Sequence, residues 1–169
     1  MVNVEVNLAS GLPSFMVVGL PQGAVREGRE RVAAALRNTG YPLPPRRITV
    51  NLAPGDVRKE GTAFDLPIAI GLLAASGRLD LARLAGHAFV GELGLDGSLR
   101  PVRGVLPMAL AFRDQGVTSV IVPAGNAQEA GVVDGLVVFG ASTLRAVVDH
   151  LTGSSRLSQM TLDVAQLLA

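Results

Sequence analysis

Apolar and polar residues alternate from Val2 to Leu8 and again from Phe15 to Val18, the period of strands with one buried face. The turn-rich Ser10-Gly11-Leu12-Pro13 joins the two. From Ala24 to Asn38 the spacing becomes helical, with Gly40 as a stop and Pro42, Pro44 and Pro45 as a stiff connector. A strand over Ile48–Leu52 and an apolar helix over Leu66–Ser76 follow, the helix with Asp65 as N-cap and Pro67 in its first turn. Ala88–Leu93 and Leu99–Val102 flank Asp96-Gly97, a two-residue hairpin signal. A helix is predicted over Val105–Gln115, ended by Gly116, then a strand over Ser119–Val122. Asn126 with Glu129 resembles a capping box for a short helix, and Leu136–Phe139 a last strand. Leu144, Val147, Val148 and Leu151 share one face of a closing helix that stops at Gly153.

These elements predict one mixed α/β domain over residues 1–153. Ser154, Ser155 and Ser158 then suggest a linker, while Leu162, Ala165, Gln166 and Leu168 could make a short amphipathic helix within residues 154–169.

Composition narrows the function classes. The chain has 169 residues, 49% of them hydrophobic, enough for a sizeable core. No window approaches the roughly 20 apolar residues of a spanning helix, and no signal-peptide pattern opens the chain. The absence of cysteine excludes disulfides and thiolate metal sites and fits a cytoplasmic protein. A net charge of +1 does not announce a nucleic-acid binder, although the first third is mildly basic.

Candidate chemistry concentrates between Arg47 and Gly77, where a loop carries Asp56, Arg58, Lys59 (the single lysine) and Glu60. Such a loop ahead of a buried helix is a common place for catalysis or anion contacts. Arg46, Arg47, Arg58 and Lys59 lack evident partners and are the candidate phosphate contacts. The arginines of the first helix differ, because Arg26/Glu30 and Glu27/Arg31 stand at i,i+4 spacing and predict a locally paired, solvated face. His87 and His150 have no further ligand at metal spacing and read as surface or capping residues. Asp56, Glu60 and Asp65 could loosely hold Mg2+, but scattered loop carboxylates usually face water. No P-loop and no GxSxG elbow occurs.

The run GLPSFMVVGLPQGAVREGRERVAAALRNTGYPLPPRRITVNLAPGDVRKEGTAFDLPIAIGLLAASG, with FVGELGLDGSLRPVRGVLP and VPAGNAQEA, resembles the N-terminal (ChlI-type) domain of the ComM/YifB family. Members of that family are bacterial AAA+ ATPases labelled magnesium chelatase-like. The domain is in turn similar to the proteolytic domain of Lon proteases and to the C-terminal domain of RadA. The resemblance implies a Lon-like α/β fold with a left-handed βαβ crossover, against the usual hand. It also implies an ATPase module beyond Ala169, to which ATP and Mg would belong, with no cofactor in this chain.

A Lon-type site needs a serine nucleophile and a lysine base. By the resemblance, the serine's place in KEGTAFDLP falls on Ala63 and the lysine's place in GVLPMALAF on Leu106. Neither can do that chemistry. The expected function is therefore a non-catalytic domain serving ring assembly and DNA contact in branch migration and natural transformation. Expected partners are its own AAA+ module, further copies in a homo-oligomer (a hexamer in the full-length protein) and DNA, with no membrane. Two alternatives stand beside it: an oligomerisation module without DNA contact, and a residual peptidase using Thr62 with Lys59.

Overall fold

The computed structural model describes residues 1–162. Two three-stranded sheets are built by the alternating segments. In the first, β1 (Asn3–Ala9) and β2 (Ser14–Val18) flank a central β3 (Arg47–Ala53). β1 runs antiparallel to β3 and β2 parallel to it. A parallel pair needs a crossover, and α1 (Gly23–Asn38) supplies it between β2 and β3. Ile48, Val50 and Leu52 on the inner face of β3 are buried beneath α1 and α2 (Asp65–Ala75). Because α2 is apolar all round it is buried on most sides, as the sequence predicts.

The second sheet is all parallel, in the order β4 (His87–Phe89), β7 (Ser119–Pro123), β8 (Val137–Ala141). Every residue of central β7 is buried, the pattern of a parallel strand covered on both faces. The hairpin around Asp96-Gly97 joins β5 (Glu92–Leu93) to β6 (Leu99–Arg100). α3 (Val105–Asp114) and α4 (Ala127–Gly131) close a second core on β7, while α5 (Leu144–Thr152) packs into the first. All four apolar residues expected on the face of α5 are buried.

Several local expectations need correction. The expected strand Ala88–Leu93 is two strands in different sheets, broken at Gly91. Gly91 accepts from the Leu66 amide and donates to the Ala63 carbonyl, so it pairs with the loop ahead of α2 instead of continuing a strand. Asp65 is the first residue of α2 and not its side-chain cap. Asn126 is the N-cap residue of α4 and its Nδ2 donates to Glu129 Oε1 at 2.7 Å, but its side chain bonds no helix amide and brackets the backbone of Val102 as well. Ser154–Leu162 runs against the domain: the Leu157 amide donates to His150 Nδ1 and the Met160 amide to the Val138 carbonyl. Ala165, Gln166 and Leu168 of the expected final helix lie outside the described residues.

Candidate functional site

The loop between β3 and α2 is held down by its lysine. Lys59 is 1% exposed, and its Nζ donates to the carbonyls of Gly19 (2.8 Å) and Pro54. The backbone locks as well: Lys59 N–H donates to the Leu20 carbonyl and Gln22 N–H to the Lys59 carbonyl, at 3.1 and 2.9 Å. Gly19 approaches so closely that a Cβ there would lie 2.3 Å from the Leu52 carbonyl oxygen, and its φ of 101° favours glycine independently. Leu20, the next residue, holds a left-handed φ of 55°. The lysine braces two loops. It is not on the surface, which corrects the expectation that it meets phosphate.

Beyond Lys59 the chain turns through Gly61, Thr62 and Ala63 into α2. Thr62 and Ala63 line a recess of about 370 Å3 with Glu60, Pro101, Arg103 and Met108. Leu106, the second residue of α3, packs with Ala63 against the second core. Asn126, 4% exposed, steadies the far wall: its Oδ1 accepts from Val102 N–H and its Nδ2 donates to the Val102 carbonyl, both at 2.9 Å. Among the described residues no ionisable side chain bonds the Thr62 hydroxyl, and the donors of Lys59 are turned to backbone carbonyls. The recess offers one hydroxyl, one guanidinium and one carboxylate, without a nucleophile and base in contact. A larger cleft of about 670 Å3 opens beside it, lined chiefly by apolar side chains of β1, α2, α3 and the His87–Val90 segment.

Asp65 stands behind the recess and organises it. Its side chain is 2% exposed and accepts a fork from Arg31, Nε to Oδ2 at 2.7 Å and Nη2 to Oδ1 at 3.1 Å. Oδ2 also accepts the Leu93 amide at 3.0 Å. One carboxylate thus ties α1, α2 and β5 together. Burial pushes the Asp65 carboxyl above the usual range, against the pull of the Arg31 hydrogen bond and the Leu93 amide. The Arg31 guanidinium is held above its ordinary value by the hydrogen bond to Asp65. Gly28 makes room for the pair, since a Cβ there would sit 2.6 Å from Asp65 Oδ1.

The expected pairs on α1 are therefore not made. Arg31 reaches Asp65 in place of Glu27, while Arg26 and Arg29 donate to the carbonyls of Pro21 and Phe15. Those two arginines cover carbonyl groups beside β2, an edge strand of its sheet.

The candidate phosphate contacts do not form one patch. Arg46 and Arg47 are exposed where β3 begins, and exposed Arg58 follows its end, roughly 20 Å away along the strand. Asp56, Glu60 and Asp65 do not converge either, because Asp65 is buried against Arg31. Among the described residues there is no group of three or more His, Asp or Glu that could hold a metal.

His87 and His150, distant in sequence, meet in space. Their ring centres are 6.4 Å apart, and Phe139 lies 4.6 Å from His150. His87 Nδ1 is 2.5 Å from Ser119 Oγ. His150 Nδ1 accepts from an amide, so that nitrogen is unprotonated and the proton of the neutral ring is on Nε2. Burial depresses both imidazoles, His150 further through the charges of His87 and Arg156. A histidine depressed on folding adds stability above its unfolded value, near 6.5, and loses it as pH falls through the folded value. The urea midpoint should therefore drop on acidification below about pH 6.5, and His150→Gln should flatten that fall. An equally steep fall in the variant would remove His150 from the effect.

Comparison with known proteins places the chain among relatives. The family model described as subunit ChlI of Mg-chelatase matches residues 4–126. Competence protein ComM of Haemophilus influenzae is 47% identical over 161 residues, covering 95% of this chain and 31% of that protein. The protein YifB of Escherichia coli K12 is 43% identical over 158 residues, covering 94% and 31%. Lon protease 2 of Bacillus subtilis is 26% identical over 148 residues, covering 87% and 26%. The chain thus spans about a third of the length of ComM and YifB.

Proposed function

This chain belongs to the family of subunit ChlI of Mg-chelatase, within its ComM/YifB branch and with a more distant Lon-like relationship, and from that premise we propose that it is a non-catalytic Lon-like domain of a DNA-acting AAA+ ATPase. It would help assemble the ring and contact DNA during branch migration and the DNA uptake of natural transformation. The name of the competence relative supports the process. One observation carries the non-catalytic part. At the two positions where the Lon-like frame would hold its serine and lysine stand Ala63 and Leu106, packed against the same core.

The alternative dyad of Thr62 and Lys59 finds no support in the geometry, since Lys59 Nζ is directed to the Gly19 and Pro54 carbonyls. We expect no turnover of unstructured protein or fluorogenic peptides by the chain and no labelling of Thr62 by a hydroxyl-directed probe. Labelling at Thr62 would reinstate the peptidase. ATP and Mg2+ are assigned to the proposed ATPase module.

DNA contact is tested by titrating the chain with single-stranded, duplex and branched DNA at low and moderate salt, with its oligomeric state followed by light scattering. Binding that weakens with salt is expected, with Arg46, Arg47 and Arg58 as the available contacts of the loop and strand. An oligomer without affinity at low salt would leave the second reading, an assembly module alone. The exposed apolar side chains of Leu12, Met16, Val18 and Leu20 along and beside β2 favour that second reading.

A further inference from the structure

The end of the domain opposite the Lys59 loop carries arginines at or just beyond the ends of three helices. There α1 ends, β3 begins, α2 ends and α5 begins. Tyr41, the single tyrosine, is half-buried at this junction. The guanidinium carbon of Arg78, just past α2, lies 5.4 Å from its ring centre, and that of Arg145, in the first turn of α5, lies 5.8 Å away. Arg145 also donates to the Thr39 carbonyl, beside the C-terminus of α1. Arg37, in the last turn of α1 and four residues before Tyr41, adds a third exposed guanidinium.

The charge is not neutralised locally. Among the described residues the only ion pairs within 4.0 Å are Arg31–Asp65 and Arg113–Asp114. The carboxylates nearest in sequence, Asp80 and Asp149, make no ion pair with Arg78 or Arg145, and Asp80 accepts from Ala82 N–H. One guanidinium is enough to brace the tyrosine and to cap the end of α1. Three exposed arginines exceed what that bracing requires.

We propose that Arg78 and Arg145, both against the Tyr41 ring, together with Arg37 at the end of α1, form a binding surface for the sugar–phosphate backbone of a nucleic acid strand. The proposal rests on DNA contact as set out above and moves its principal site to a different part of the molecule. Guanidinium forks match phosphate oxygens, and their planes also stack on exposed bases. The surface is open, since all three arginines are exposed, which suits a chain-like anion better than a small enclosed one. Arg78 and Arg145 share one ring, so their charges are at most about 11 Å apart. That upper bound spans at most about three steps of one strand at roughly 3.4 Å of axial rise each. Arg46 and Arg47 follow Tyr41 closely and extend the basic edge to the start of β3.

Fluorescence anisotropy with labelled single-stranded and duplex oligonucleotides, across a salt series on the whole chain, tests the assignment. Arg37→Gln/Arg78→Gln/Arg145→Gln should weaken binding to all sequences and reduce the slope of log affinity against log salt by about 2 to 3. Arg46→Gln/Arg47→Gln/Arg58→Gln should reduce it less. Arg78→Glu removes a guanidinium that makes no side-chain hydrogen bond among the described residues; with a thermal melt matching that of the unaltered chain, it should bind at least tenfold more weakly. Loss confined to the Arg46/Arg47/Arg58 variant would overturn this site while leaving DNA contact standing. No binding by the unaltered chain at low salt would overturn both.

Discussion

Replacing Arg31 with methionine is expected to destabilise the domain by about 3–5 kcal/mol at neutral pH, with part of the loss recovered on acidification. The variant leaves the Asp65 carboxylate, 2% exposed, with the Leu93 amide as its remaining donor. In the native protein burial already raises the Asp65 carboxyl, and Arg31 is the strongest influence opposing it. Without Arg31 the folded-state value rises further. A carboxyl raised on folding contributes stability below its unfolded value, near 4, and loses it as pH rises through the folded value. The deficit of the variant should therefore be largest near neutrality and narrow as pH falls toward about 4. Urea denaturation over a pH series measures this, and a deficit independent of pH would show that Asp65 is not the stranded charge. Asp65→Asn should cost less and show no such recovery, because Arg31 is 20% exposed and can turn to water.

Lys59→Met should cost about 2–4 kcal/mol, the order expected when two carbonyls lose their partner in a buried site. Methionine fills much of the same volume, so the loss comes from the Gly19 and Pro54 carbonyls and from the loop they brace. Amide exchange at position 59 and at Gln22 should accelerate, since those two N–H groups donate the bonds that pair the segments, to the Leu20 and Lys59 carbonyls. A lysine on the surface would give a change within about 0.5 kcal/mol. A thermal melt that hardly moves would return Lys59 to the list of external contacts.

These two side chains also mark where sequence reasoning stops. Local patterns located the elements well: the alternation at Val2–Leu8 gave β1, and the spacing of Leu144, Val147, Val148 and Leu151 gave the buried face of α5. Both depend on one buried face, which periodicity reports directly. Partnership across the fold leaves no such trace. Glu27 and Arg31 stand at helical pairing distance, yet Arg31 reaches Asp65, 34 residues on, because a buried carboxylate needs it more than a solvated one does. Lys59 sits among charged neighbours in a loop and reads as exposed, while its carbonyl partners are 40 and five residues away.

The same limit applies to the site. Ala63 and Leu106 could be named from the resemblance, but that the two pack against one core required the fold. The candidate phosphate contacts Arg46 and Arg47 stand at one end of β3 and Arg58 beyond the other, a separation that only the fold shows. Arg78 and Arg145 gave no sequence signal, since they meet only at Tyr41. A lone tyrosine after a helix does not announce two arginines that lie 37 and 104 residues further along the chain.

The place of β3 between two strands that precede it governs how the chain can fold. β1 and β2 have no hydrogen-bonded partner in each other, and both must wait for residues 47–53. On a ribosome, β1 and β2 emerge with their apolar faces uncovered until β3 has been made. Only then can the sheet form in one step around its last-made strand. Such distant pairings slow folding and prolong exposure of strand edges to other chains. Early aggregation during synthesis, more than loss of the finished structure, is the hazard this strand order creates.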